Sequence, residues 1–448
     1  MKILSEHPTV MKVHERAAAV TVEEARRPLD AEWLRRLCLD AGADDVGFVE
    51  MERPELANQR QEILSAFSRT RTLISLVCRM NREDIRSPAR SVANLEFEHA
   101  GDQVNEAARR IVATLERNGV RALNPSMGFP MEVQRFPDGK MWVVSHKPVA
   151  VAAGLGQMGI HRNVIHPKFG DFILLGTILI DAEVSSYDHP IDYNPCLECK
   201  LCVSACPVGA IGEDGRFDFT ACYTHNYREF LGGFSDWVEN VVESRNRFDY
   251  RRNVSDSESA SMWQSLSFGA SYKAAYCMAV CPAGEDVIGP FLENRKEYLH
   301  DVVRPLQNKA ETIYVVPNSD AEDHVARRFP HKKTKRVGRS LRAHTVQAFF
   351  WGLPLTFQRK HSRGLDAVYH FTFTGEESGE GTVTIRDGAI EVTSGHVGAP
   401  DMIISADGRT WLGILAKERN LFWSILRRKI RIKGSPKLLL AFGRCFPG

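Results

Sequence analysis

Apolar and polar positions follow a helical period through much of this chain and switch to strict alternation in its last hundred residues. Between Asp30 and Ala43, Trp33, Leu34, Leu37 and Cys38 recur at helical spacing, and Gly42 stands where such a helix ends. Val46–Val49 reads as a short strand and Thr72–Cys78 as a buried one. Ala93–Gly119 reads as a long amphipathic helix closed by Asn118-Gly119. Helix and strand alternate, which predicts an α/β domain over residues 1–185. Residues 1–30 are polar and rich in Ala, Glu and Arg, which predicts a short lead-in helix. Lys147–Asp181 is the densest stretch of this half, with an Ala-rich helical pattern, a cluster of glycines and then an apolar run ending Gly-Thr-Ile-Leu-Ile-Asp.

A short strand, Thr312–Val316, is followed by Arg327, Arg328, Lys332, Lys333, Lys335, Arg336 and Arg339. That run reads as a solvated linker over 301–340, with a patch for an anionic partner as the alternative. Residues 368–374, 381–386, 389–393 and 402–405 alternate apolar with polar side chains, as half-buried antiparallel strands do. Asp387-Gly388 is a hairpin turn between the second and third of these. A helix is expected around Arg409–Ala416, and the segment Arg427–Leu440 is basic and apolar together. Residues 341–448 therefore form a separate α+β domain.

The 448 residues suffice for two or three domains. Their 43% hydrophobic and 25% charged content is that of an ordinary globular protein, and a net charge of +2 exerts no global pull on nucleic acid or membrane. Nothing approaches the roughly 18 consecutive apolar residues of a membrane span. With no apolar signal core or twin-arginine segment at the start, the expected location is the cytoplasm.

The cysteines change the picture. Seven of the ten crowd into 186–300, while Cys38, Cys78 and Cys445 read as small buried hydrophobes. Residues 196–207 are a Cys-x2-Cys-x2-Cys-x3-Cys-Pro run, the pattern that binds a cubane of iron and sulfide. By the crossed logic of two-cluster ferredoxins, Cys196, Cys199 and Cys202 share one cluster with distant Cys281. Cys206, Cys222 and Cys277 begin the second. A regular second run would place a cysteine at 274, where this chain has Ala274. The second cluster is therefore a three-iron cluster, or takes a non-cysteine ligand, or is labile. Zinc is the alternative occupant of Cys-x2-Cys pairs, against which the unbroken fourth cysteine and its proline argue. Thiolates reserved for metal imply a reducing compartment.

Gly154-x-Gly156-x-x-Gly159 invites a dinucleotide reading. It fails on context, since neither a β-branched strand before it nor a clear helix after it is present. The glycines are expected instead to allow a tight turn and close approach to a bulky, flat group.

Lys147-Pro148-Val149-Ala150 through Gly159, then Phe169-Gly170 and Leu175-Gly176-Thr177, followed by the cysteine order above, resembles the corrinoid iron–sulfur superfamily of epoxyqueuosine reductases and reductive dehalogenases. The resemblance covers about 30–300. It implies a nitroreductase-like α/β corrinoid-binding core with an inserted two-cluster ferredoxin-like region at 186–300. It also implies cobalamin beside Gly154, Gly156 and Gly159, and an external donor of ferredoxin or flavodoxin type. About 341–446 resembles the sterol carrier protein 2 family through Tyr369–Gly375, Thr382–Gly388, Asp401–Ser405, Trp411-Leu412 and Ile432–Ser435. That likeness implies a five-stranded sheet enclosing an apolar tunnel.

The acid that supplies a proton in epoxyqueuosine reductases falls at Lys140 here, with Asp138 nearby. Their tRNA-holding repeat domain has no counterpart, so a nucleic-acid partner is not expected. Candidate proton donors are His146, Asp138 and Tyr223, then His225 and Lys140; His161 and His166 flank the glycines without an assigned role. Three functions compete: a corrinoid-dependent reductase of an apolar or lipid-like small molecule, an electron-transfer protein feeding another enzyme, and a lipid-binding protein with structural clusters.

Overall fold

The computed structural model describes residues 4–17, 27–135, 141–273, 276–338 and 341–447; Asp138, Lys140, Ala274 and Arg339 lie outside these. The lead-in helix is α1 (Pro8–Ala17). Helix α2 (Ala31–Asp40) starts where Asp30 accepts the Trp33 N–H at 2.7 Å, and it buries Leu34 and Cys38. Strands β1 (Asp45–Glu50) and β2 (Thr72–Arg79) precede the long helix α3 (Arg90–Arg117). Then come β3 (Ala122–Leu123), α4 (His146–Ala152), the two-stranded ribbon β4 (Gln157–Met158) and β5 (Val164–Ile165), and β6 (Ile173–Ile180).

The sheet runs β1-β2-β6-β3 and is antiparallel throughout. Content is mixed α and β as expected, and both faces of the sheet are covered. Ile74, Leu76, Ile178 and Ile180 pack against α2 and α3, while Leu73, Val77 and Leu179 pack against α4. A strand covered on both faces reads as one apolar run whatever the direction of its neighbours. Gly176 belongs to this layer: a Cβ there would meet Val104 of α3 at 2.6 Å.

The cluster region carries α5 (Leu201–Ala205), α6 (Phe219–Asn226), α7 (Gly232–Glu243), α8 (Asp256–Phe268) and α9 (Tyr276–Ala279). The 301–340 stretch corrects the linker expectation, because it folds. Strand β7 (Thr312–Val315), helix α10 (Asp320–Arg328) and strand β8 (Lys333–Arg336) form a parallel pair with a crossover helix. Ile313, Val315, Ala321, Val325 and Phe329 enter the same core as Cys202 and Cys206. Part of the basic run is neutralised in place. Lys332 pairs with Glu311 at 2.5 Å, Lys335 with Glu258 at 2.5 Å and Arg336 with Glu322 at 2.5 Å.

Helix α11 (Val346–Thr356) opens the last domain, followed by β9 (Ala367–Thr374), β10 (Gly379–Arg386), β11 (Ala389–Ser394), β12 (Met402–Asp407), α12 (Gly408–Leu415), α13 (Leu421–Leu426), β13 (Ile430–Gly434) and α14 (Pro436–Arg444). The five-stranded order is β11-β10-β9-β12-β13. All pairs are antiparallel except β9 with β12. This domain docks on the cluster region. Thr220 of α6 donates its hydroxyl to Leu355 O at 2.7 Å, and Arg216 donates to Phe357 O at 3.0 Å. Among the described residues, no helix is long and apolar enough to cross a membrane.

Candidate metal centre

The first cysteine run is shaped by its backbone. Glu198 and Lys200 adopt φ of 49° and 62°, left-handed positions that turn the loop between Cys196, Cys199 and Cys202. Asn194 accepts the Cys196 N–H at 2.9 Å, and α5 then carries Cys202 inward. Pro207 ends the run. The Ala210 N–H donates to the Cys206 sulfur at 3.3 Å, and the amides of Val208, Ile211 and Gly209 point the same way. Helix α6 supplies Cys222, α9 supplies Cys277, and Cys281 follows α9 directly.

The thiols fall into two groups. Cys281 is pushed well up by burial, then by Asp171, Cys199 and Cys202. Cys277 is pushed well up by burial, then by Asp171, Cys222, Cys206 and Cys202. Burial raises Cys222 to about 12, with Cys206 adding to it, and raises Cys202 to about 12, with Cys199 adding to it. Cys281 thus stands near Cys199 and Cys202, with Cys196 packed beside it, while Cys277 stands near Cys222 and Cys206 and also feels Cys202. Six of the crowded thiols, Cys199, Cys202, Cys206, Cys222, Cys277 and Cys281, resist ionising, and a cationic iron core in place of their protons would relieve them. The residues present fit two iron–sulfur clusters, the second short of one thiolate among the described residues.

Polar groups surround the sulfurs. His161 Nε2 lies 3.2 Å from Asp171 Oδ2, with both side chains buried. Their ligating atoms and the Cys281 sulfur all lie within 4.8 Å of one another. Burial raises the Asp171 carboxyl, opposed by His161 and Lys147. Lys147 donates from Nζ to Arg162 O and to Asn163 Oδ1, each at 2.8 Å, and Asn163 Nδ2 lies 3.9 Å from the Cys277 sulfur. Burial lowers the Lys147 pKa, opposed by Asp171, Cys277 and Cys222, yet the side chain keeps accessible surface. Lys147 is therefore linked through Asn163 to Cys277 while remaining exposed. Sequence reasoning did not single out Asp171, Asn163 or the ammonium of Lys147. The available signal was Asp171 itself, an acid set between Gly170 and an apolar run.

The predicted proton donors sit as follows. The ring nitrogens of His146 are engaged by Thr177 Oγ1 at 2.9 Å and Ser126 O at 3.1 Å, tying α4 to β6, and burial lowers its pKa. The Tyr223 hydroxyl accepts the Gly232 N–H at 3.1 Å, and its ring stacks between Phe219 and Tyr227. His225 is buried and accepts the Tyr314 N–H at 3.3 Å, while His166 pairs with Asp45 at 3.0 Å. Asp138 and Lys140 lie outside the described residues.

The glycines serve close approach, but by the chain itself. A Cβ on Gly154 would meet His189 O at 2.4 Å, one on Gly156 would meet Ile165 O at 2.4 Å, and one on Gly159 would meet the His161 ring at 2.8 Å. The Cβ direction of each glycine is thus taken up by the chain itself.

Residues 189–212 match a 4Fe-4S binding domain, and residues 358–447 match the SCP-2 sterol transfer family. The chain ends in an SCP-2-type domain. An epoxyqueuosine reductase of Cellulophaga algicola is 32% identical over 103 residues, covering 21% of this chain and 33% of that protein. One from Aliivibrio fischeri is 34% identical over 102 residues, covering 23% and 27%. The chain thus spans about a third or less of the length of these curated relatives. Among solved structures, an epoxyqueuosine reductase from Streptococcus thermophilus overlaps 62% of this chain and 79% of its own at 13% identity and a TM-score of 0.36. A catabolic reductive dehalogenase in complex with 3-bromo-4-hydroxybenzoic acid overlaps 62% and 34% at 18% identity and a TM-score of 0.37. In the SCP-2-type domain, Phe349, Phe371 and Trp411 meet edge to face at 5.5–5.8 Å, and Phe442 lies 5.0 Å from Tyr369. These aromatic side chains lie between the sheet and the helices of the domain.

Proposed function

We propose that the protein is an iron–sulfur oxidoreductase of the epoxyqueuosine reductase and reductive dehalogenase type, acting on an apolar or lipid-like small molecule. What supports this reading is the packing of Cys199, Cys202, Cys206, Cys222 and Cys277 into one core with Cys281 and Cys196 together beside it, in the region that begins with the 4Fe-4S match. Bound clusters supply one-electron transfer at potentials from about −700 to +450 mV.

The chain's own residues do the rest. The amides around Cys206 stabilise the reduced form of the second cluster by pointing partial positive charge at its sulfur. Lys147 Nζ, fixed by Arg162 O and Asn163 Oδ1, presents a cation and a proton to whatever acceptor reaches it. His146 and Tyr223 hold α4 and α6 in place, a structural duty instead of the proton donation that the sequence suggests for them and for Asp138. A ferredoxin- or flavodoxin-type donor feeds the clusters. A cleft of about 650 Å³ between cluster region and SCP-2-type domain is floored by Val208–Ala210 and carries mixed charge, with Arg359 paired to Asp214 at 2.6 Å and Asp320 and Asp387 beside Arg327 and Arg363. Cobalamin is implied by motif order alone.

Anaerobic reconstitution with metal analysis tests the proposal. Stoichiometric cobalt alongside iron supports the corrinoid reductase. Iron without cobalt, in a protein that passes electrons to an external acceptor only, favours the electron-transfer reading and removes the catalytic one.

A further inference from the structure

Helix α13 is amphipathic in the wrong sense for a soluble domain. Ser424 is buried and Leu421 half-buried on its inner side, while Phe422, Trp423, Ile425 and Leu426 face outward at 69%, 56%, 39% and 61% exposure. Burying a serine while exposing four large apolar neighbours is the reverse of what core packing selects. The serine is accommodated because its hydroxyl donates to Asn420 O at 2.9 Å, and Asn420 in turn caps the helix through the Trp423 N–H.

The flank of this face is cationic. Arg427, Arg428 and Lys429 follow at once and are exposed, with Arg428 in the left-handed region at φ 58° where the chain turns into β13. Along β13, Ile430 is buried while Arg431 and Lys433 stand outward. That strand is the sheet edge, paired only with β12. Edge cations discourage strand pairing, which accounts for Arg431 and Lys433. It does not account for the apolar face of α13 or the three cations beside it.

We infer that α13 and the turn after it dock the SCP-2-type domain on an anionic lipid surface, with Phe422, Trp423 and Leu426 entering the interface and Arg427, Arg428 and Lys429 meeting the headgroups. Trp and Phe favour the headgroup boundary, and a cation beside an anionic leaflet strengthens binding by roughly fivefold. The patch is too short to span a bilayer, so binding is peripheral and reversible. The inference is independent of the redox reading, since no cluster residue takes part.

Co-sedimentation of the full chain with vesicles tests it, using phosphatidylcholine alone and phosphatidylcholine with a quarter phosphatidylglycerol. The expected result is at least tenfold stronger binding to the anionic vesicles, weakened by high salt. Phe422→Ser/Trp423→Ser should lose at least tenfold on anionic vesicles, and Arg427→Glu/Arg428→Glu should abolish the anionic preference. Trp263→Ser, at another exposed apolar site on α8, should bind as the parent does. Unchanged circular dichroism and iron content show that each variant is folded. Absence of binding to anionic vesicles, or α13 variants that bind as the parent does, overturns the inference. So does a parent dimer that only the α13 variants dissociate, because the face then serves a second copy of the chain.

Discussion

At Gly170, φ is +66° and a Cβ would lie 2.0 Å from the carbonyl oxygen of Ala283; Gly284, at φ +110°, returns the contact against Gly170. Two glycines thus let the segment before β6 cross directly behind Cys281. Gly170→Ala should displace Cys281, and the iron bound with Cys196, Cys199 and Cys202 should fall by more than half while the other cluster persists. Electron paramagnetic resonance of the reduced protein checks this. Crossed ligation makes a related forecast. Cys281→Ala and Cys199→Ala should erase the same signal, and Cys277→Ala a different one; identical losses from Cys277→Ala and Cys281→Ala would show a single site. The Cys196–Cys206 run was legible in the sequence because its ligand spacing is local. Lys147 and Asp171 were not, because their meaning comes from α4, β6 and α9 meeting in space. His146 drew attention through its place beside Lys147-Pro148, whereas its two hydrogen bonds give it a fixed structural duty.

Helix α6 shows how an element positions a ligand. Asp218 caps it by accepting the Ala221 N–H at 2.9 Å, and Thr220 anchors it to α11 through Leu355 O. Thr220→Val should cost about 1 kcal/mol and hasten loss of the Cys222 cluster in air, measured by the decay of its visible absorbance. Just beyond α6, Glu229 is buried against Arg90 of α3 and Lys273. Burial favours its neutral form, but the Arg90 hydrogen bond and the Lys273 charge prevail and hold the carboxyl below its ordinary 4.5. A depressed acid stabilises the fold above its unfolded pKa, and that contribution is lost as pH falls below 4.5 toward the folded value. Glu229→Gln should lower stability by roughly 3–5 kcal/mol near neutral pH. It should also flatten the fall of the melting temperature below pH 4.5 relative to the parent. Elements with a dominant apolar period, such as α2, α3 and the strands of the last domain, were readable from the sequence. Strand β8 and helix α10 were not, because their charged positions outnumber the few apolar ones that reach the core. Strand direction was hidden for a different reason: burial on both faces erases the alternation that would report it.

For the whole molecule, the cluster region is the hub, packed on the N-terminal sheet through α9 and Phe172 and on the SCP-2-type domain through α6 and α11. Boundaries near 186 and 341 were expected from changes in pattern and cysteine density. The folding of 301–340 into the hub was not, since only tertiary contacts distinguish it from a linker. The proposed electron transfer through this hub depends on iron and sulfide occupying the two groups of thiols. Iron, acid-labile sulfide and zinc should therefore be determined on the anaerobically reconstituted full chain, together with its redox spectra. The account predicts iron and sulfide in near-equal amounts, about seven to eight of each per chain, with two separately reducible signals. Zinc bound without sulfide, in a protein silent to reductant, would contradict it.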